Sequence, residues 1–139
     1  MQGGEPQQSA PRRVTLIVED NELNLKLLKD ILDFHGYSTM VTGLGAAALD
    51  LARQHHPGLI LLDIQLPDIS GTEVARRLKA DKETRAIPII AVTAFAMPGE
   101  RIKILDSGCD AYISKPFDIR EFLASVERYF DDTTAAAAS

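Results

Sequence analysis

The sequence predicts a three-layer α/β/α domain built on a five-stranded parallel sheet. Three observations predict it: five short apolar runs recur along the chain, stretches with helical spacing separate them, and 139 residues suffice for one core but not two. The runs are Val14–Val18, Ser38–Val41, Leu59–Leu62, Ile89–Val92 and Ala111–Ser114. The first, third and fourth are nearly continuous in Val, Ile, Leu and Ala, as strands covered by helices on both faces must be. The second and fifth carry more polar residues and suit the sheet edges.

Each helix is set by its apolar stripe and its ends. Asn21 can cap a first helix in which Leu23, Leu27 and Ile31 repeat at helical spacing beside Leu28 and Leu32, and Gly36 can end it. Ala46–Gln54 forms a second, with Ala48, Leu49 and Ala52 on one side, stopped by His55-His56-Pro57-Gly58. A third, Thr72–Lys79, runs through Val74, Ala75 and Leu78. Gly99–Asp106 is a shorter fourth with Ile102 and Leu105 inward, ended by Gly108. Asp118-Ile119-Arg120-Glu121 has the spacing of a capping box and opens a fifth helix whose apolar side carries Phe122, Leu123, Val126 and Phe130. Right-handed crossovers and short connections favour one winding of these units, a flavodoxin-like sheet in the order 2-1-3-4-5.

Residues 1–13 carry Gln, Gly and Pro without an apolar stretch and read as a flexible leader, neither signal peptide nor membrane anchor. The domain spans 14–131, and 132–139 reads as a frayed tail. With 45% apolar and 25% charged residues, the balance is that of a compact soluble domain. A net charge of −5 without a Lys/Arg cluster disfavours nucleic acid as a partner. Cys109 is alone, so no internal disulfide is possible, and a reducing cytoplasm is expected. Cys109 reads as a small buried hydrophobe, and His35, His55 and His56, at helix ends, as surface residues.

In an open parallel sheet, ligands bind beyond the carboxyl ends of the strands, where the winding direction reverses. The polar residues of this chain fall there. Strand one runs into Glu19-Asp20, strand three into Asp63, strand four into Thr93, and strand five into Lys115-Pro116. Three carboxylates facing one ammonium leave a negative excess that a hard divalent cation can neutralise, Mg²⁺ or Mn²⁺. Such a site suits phosphoryl transfer, which needs alignment and charge screening more than covalent work. Asp63 is then the nucleophile that forms an acyl phosphate, Lys115 neutralises one phosphoryl oxygen, and Thr93 hydrogen-bonds another. Taken singly, the acids read as helix caps, Thr93 as a strand residue and Lys115 as a solvated charge. Their common edge favours the chemical reading.

At these residues the chain resembles the receiver domain of bacterial two-component response regulators. The segments that carry the likeness are V-E-D-N-E, L-L-D-I-Q-L-P, A-V-T-A and I-S-K-P-F, and it extends from about Val14 to Phe130. V-E-D-N-E-L-N and V-T-A-F-A-M are similar to single-domain cell-division regulators of the DivK type. The resemblance implies a phosphorelay member whose Asp63 takes phosphate from a histidine kinase or histidine phosphotransfer protein. Asp20 is then a direct metal ligand, Glu19 acts mainly through water, and the main-chain carbonyl of Gln65 completes the protein ligands. The resemblance also implies that Thr93 and Tyr112 form a switch pair and that Pro116 follows a cis peptide bond. Such a domain is no enzyme in the ordinary sense, assisting only its own phosphorylation and dephosphorylation.

With no output module attached, phosphorylation would act by changing which proteins bind. The expected surface is helix four, strand five and helix five, with Arg101, Ile104, Tyr112, Arg120 and the loop Phe95–Gly99, serving downstream partners or a weak homodimer. Phe95 is expected to shield the phosphoryl group from water. Three rivals remain. Gly43-Leu44-Gly45-Ala46-Ala47-Ala48 fits the dinucleotide fingerprint G-x-G-x-x-A after a strand, which would make a small nucleotide-binding enzyme domain. It lies beside an edge strand, though, away from the switch point and near acids that repel a pyrophosphate. An aspartyl-phosphate phosphatase needs a second acid two positions after the nucleophile, where this chain has Gln65. An adaptor that no longer needs phosphorylation fits poorly with a complete set of acids, Thr93 and Lys115.

Overall fold

A computed structural model describes residues 14–94 and 97–138, with side chains through Phe130. Ten elements alternate: β1 (Val14–Val18), α1 (Glu22–Phe34), β2 (Ser38–Thr42), α2 (Gly45–His55), β3 (Leu59–Asp63), α3 (Gly71–Ala80), β4 (Ile89–Thr93), α4 (Pro98–Asp106), β5 (Ala111–Ser114) and α5 (Ile119–Ala138). Every strand pair is parallel, and the order is β2-β1-β3-β4-β5, as expected. The polar edge runs β2 and β5 do flank the apolar β1, β3 and β4. The ladder is level at its carboxyl end, where Asp63 pairs with Val92 and Thr93 with Ser114. Both Asp63 and Thr93 are the final residues of their strands, one step past the apolar runs.

Because successive strand residues point to opposite faces, the sheet fills two cores. Leu16, Ile60, Leu62 and Ala91 pack with Ala48 and Ala52 of α2, Val74 and Leu78 of α3, and Ile104 of α4. On the other face Ile17, Leu59, Leu61 and Val92 pack with Leu28 and Leu32 of α1 and Phe122, Val126 and Phe130 of α5. Each fully buried Val, Leu, Ile or Phe among them contributes about 1.5–3 kcal/mol relative to exposure. Local polar contacts fix where the helices start. Asn21 Oδ1 accepts from the Asn24 amide at 3.0 Å, Ser70 Oγ from Glu73 at 3.2 Å, and Asp118 Oδ1 from Arg120 at 2.7 Å.

Two helices face the core in a different phase from the expected one. In α1 the buried residues are Leu28, Ile31 and Leu32, while Leu23 is 80% exposed and Leu27 also lies in solvent. Leucine is so frequent in this helix that two stripes compete, and the second borders the acidic cleft instead. In α4 it is Ile104 that is buried, at 1% exposure, while Ile102 and Leu105 are exposed. Nine residues hold too few turns for the apolar spacing to fix the phase, and the core between β4 and α3 takes Ile104. Ile104 therefore cannot belong to a partner surface. α5 is helical through the alanine run to Ala138, in keeping with alanine's helix propensity. Phe95, expected to shield the site, lies outside the described residues.

Candidate functional site

The carboxyl ends of β1, β3 and β5 bring the acids and the lysine into one cleft. Glu19 leaves β1 with its amide bonded to the Thr42 carbonyl at 2.9 Å, and its side chain turns in, 1% exposed. There one carboxylate oxygen accepts from the Asn21 amide at 3.2 Å and the other from Lys115 Nζ at 2.9 Å. Asp63 is buried as well; its Oδ1 accepts from the Gln65 amide at 3.1 Å, and its Oδ2 stands 3.6 Å from Lys115 Nζ. Asp20 is exposed at the cleft's mouth. Glu19, Asp20 and Asp63 each offer a carboxylate oxygen within 4.8 Å of the other two.

Three carboxylates around one ammonium leave this pocket under-neutralised. Burial pushes the Glu19 carboxyl up to about 7, the neighbouring Asp63 adds to the rise, and Lys115 opposes it. A divalent cation with oxygen ligands fits this donor set, since it would supply the missing positive charge without a tight cage of nitrogen or sulfur ligands.

Thr93 is fully buried at the end of β4, and its carbonyl accepts from the Lys115 amide at 2.8 Å, which ties β4 to the loop after β5. Tyr112 pairs with Ala91 in the ladder, so it points to the face that Ala91 and Thr93 share, one step further from the rim. The Arg101 guanidinium of α4 lies 5.3 Å from the Tyr112 ring centroid. The Lys115–Pro116 peptide is cis. Gln65 is exposed in the loop after β3 and lines the same cleft.

The residues outside the cleft behave as the sequence suggests. Cys109 is buried, and burial pushes its thiol up to about 11. His35, His55 and His56 are exposed at helix ends. The Gly43-x-Gly45 segment opens α2, but the two amides that a phosphate would seek are taken: Asp68 Oδ1 accepts from Gly45 at 2.8 Å and Oδ2 from Ala46 at 2.9 Å. A carboxylate seated there repels a pyrophosphate, so the nucleotide reading loses its anion site.

Asp68 escaped the sequence reading. Its partners lie 22 and 23 positions away, beyond any local capping pattern. The one available signal was a helix start, Leu44-Gly45, with no capping side chain of its own. Gly71 is a second omission. A Cβ there would sit 2.5 Å from the Asp63 carbonyl oxygen, so the chain behind the nucleophile has room for glycine alone.

A parallel 2-1-3-4-5 sheet with an acid cluster and a lysine at its carboxyl rim defines a class of phosphoryl-accepting signalling domains. The chain belongs to the response regulator receiver domain family, whose model matches residues 15–127. It is 56% identical over 117 residues to the polar-differentiation response regulator DivK of Brucella ovis, covering 84% of this chain and 95% of that protein. The homologue of Brucella anthropi is 55% identical over the same span. Among solved structures, a CheY-like receiver domain protein from Methanospirillum hungatei superposes with a TM-score of 0.81 at 30% identity, covering 88% of this chain and 96% of that one. The receiver domain of a sensor histidine kinase from Pseudomonas aeruginosa gives 0.80 at 32%, covering 86% and 98%, and that structure holds a magnesium ion in its active-site cleft. Receiver domains work by Mg²⁺-dependent phosphorylation of an aspartate, and this chain is a response regulator of that kind. Among the described residues, no helix is long and apolar enough to cross a membrane.

Proposed function

We propose that Asp63 is the phosphoacceptor and that Glu19, Asp20, Asp63 and the Gln65 carbonyl hold Mg²⁺ or Mn²⁺ beside it. The observation that carries this is the convergence of three carboxylates within 4.8 Å, with Lys115 as the counter-charge. A carboxylate oxygen of Asp63 attacks the phosphorus of a phosphohistidine on a kinase or phosphotransfer protein. The P–N bond breaks, and its electron pair returns to the imidazole, which takes up a proton. The cation, when bound, screens charge on the phosphoryl oxygens. Lys115 pairs with one of those oxygens, and the Thr93 hydroxyl donates to another. The same residues support removal of the group by hydrolysis, in which water attacks phosphorus, the P–O bond to Asp63 breaks with its electron pair returning to the carboxylate, and inorganic phosphate leaves with the water's proton passing to solvent.

Thr93 and Tyr112 form the switch. Closure of the threonine on the phosphoryl group frees space on the face it shares with Tyr112, and the ring moves in. The signal leaves through α4, β5 and α5, where exposed Ile102 and Leu105 join Arg101, Tyr112 and Arg120. The setting is the cytoplasm, which suits a lone buried thiol. Incubation with acetyl phosphate and Mg²⁺, read by intact mass, is expected to add one phosphoryl group to wild type and none to Asp63→Asn. Equal labelling of both proteins overturns the assignment. Ile102→Ala with Arg120→Ala is expected to weaken partner binding while leaving that labelling intact.

A further inference from the structure

In the Gly43–Ala46 segment the Gly45 and Ala46 amides are taken by Asp68, and the segment is packed between the acid pair and the chain after β3. A Cβ on Gly43 would lie 3.3 Å from Asp20 Cα and 3.6 Å from the Glu19 carbonyl, so this loop abuts the acid pair. A Cβ on Gly45 would lie 2.6 Å from Ile69 Cγ1 and 2.8 Å from Val74 Cγ2, so two positions later the same loop abuts the segment after β3. Asp68 joins the two, one carboxylate oxygen on each of the Gly45 and Ala46 amides.

The segment that carries Asp68 also carries Gln65. Its base is closed by the Gly71 amide on the Ile64 carbonyl at 2.8 Å, and near its start the Gln65 amide holds Asp63 Oδ1 at 3.1 Å. Between those points, Ser70 caps the α3 that follows directly, and Asp68 ties the segment to α2, which is distant in the chain. Two charge-assisted bonds from one carboxylate fix both distance and orientation.

We infer that Asp68 is a positioning residue for the acidic pocket, clamping the loop that bears Gln65 onto the start of α2, which in turn abuts Glu19-Asp20. It touches neither cation nor phosphoryl group. Its effect passes through the backbone of the Asp63–Gly71 segment to the Gln65 carbonyl and to the amide that orients Asp63. The inference rests on the proposed metal site for its functional meaning. An ordinary helix cap would lower stability alone, whereas a positioning residue also alters affinity and local opening at the site.

Two variants and a control separate these. Asp68→Ala removes both acceptors, and Asp68→Asn keeps one. Arg53→Ala loosens the opposite end of α2 by breaking the 2.8 Å contact with Asp81, far from the pocket. Mg²⁺ affinity is read by calorimetry, and exchange of the Gln65 amide by NMR in metal-free protein. Asp68→Ala is expected to weaken Mg²⁺ binding about three- to tenfold, below the 10–100-fold typical of groups bonded directly to a ligand. Gln65 exchange is expected to quicken by a similar factor, with Asp68→Asn between and Arg53→Ala unchanged in both. Unchanged affinity and exchange in Asp68→Ala, or an equal loss in Arg53→Ala, overturns the inference. Should wild type fail to bind Mg²⁺, the metal site falls, while Gln65 exchange still decides whether Asp68 holds the loop. Should Asp68→Ala fail to fold, Asp68→Asn against Arg53→Ala decides in the same way.

Discussion

The two rims of this sheet both hold charge, and they treat it in opposite ways. At the amino rim, Lys79 Nζ donates to the carbonyls of Arg85 at 3.2 Å and Ile87 at 2.8 Å and stands 3.3 Å from Asp110. Asp110 also takes the Ile89 amide at 2.8 Å, just where β4 begins. One cation meets one anion, and backbone groups occupy both. At the carboxyl rim three carboxylates share one ammonium, two of the acids are buried, and burial raises Glu19. Charge that the chain cancels within itself holds structure together. Charge left uncancelled in a buried place costs stability unless something arrives to meet it, here a cation and a phosphoryl group.

The largest effect is expected where the imbalance is made worse. Lys115→Met removes the ammonium 2.9 Å from Glu19 and should cost the metal-free protein about 3 kcal/mol in urea unfolding. Saturating Mg²⁺ should recover part of that loss. Asp110→Asn at the balanced rim keeps an acceptor for the Ile89 amide and should cost about 1 kcal/mol, with no response to Mg²⁺. Equal Mg²⁺ responses in the two variants would erase the distinction between the rims.

A smaller effect follows from Glu19 and is read against pH. Its folded value of about 7 exceeds the ordinary 4.5, so the folded protein binds this proton more tightly than the unfolded chain does. That contribution to stability is fully present below pH 4.5 and is lost as pH rises towards 7, with a slope of at most about 1.4 kcal/mol per pH unit. Glu19→Gln cannot titrate. In metal-free protein the stability of wild type relative to Glu19→Gln should therefore decline across that window and level off above it. A difference independent of pH would show that burial does not hold the Glu19 proton.

Much of the fold was legible because a parallel sheet writes itself as alternating apolar runs, and those runs locate β1, β3 and β4 nearly to the residue. The site was legible for a related reason. Glu19, Asp63, Thr93 and Lys115 sit at or just past strand ends, and a level ladder turns those positions into neighbours. Phase in the helices was not legible where apolar residues outnumber the inward positions, as with Leu23 and Leu27 in α1 and Ile102 against Ile104 in α4. Those exposed leucines border the cleft or the loop beyond β5, so the surplus marks surface beside the site rather than core. Asp68 was illegible because its bonds span more than twenty positions and depend on where two loops meet in space.

Titration calorimetry of Mg²⁺ against wild type, Asp20→Asn, Asp63→Asn and Asp110→Asn tests the unbalanced rim most directly. One saturable site is expected in wild type and in Asp110→Asn, weakened in Asp20→Asn and lost in Asp63→Asn. Binding by Asp63→Asn as tight as that of wild type would contradict a cation held beside Asp63.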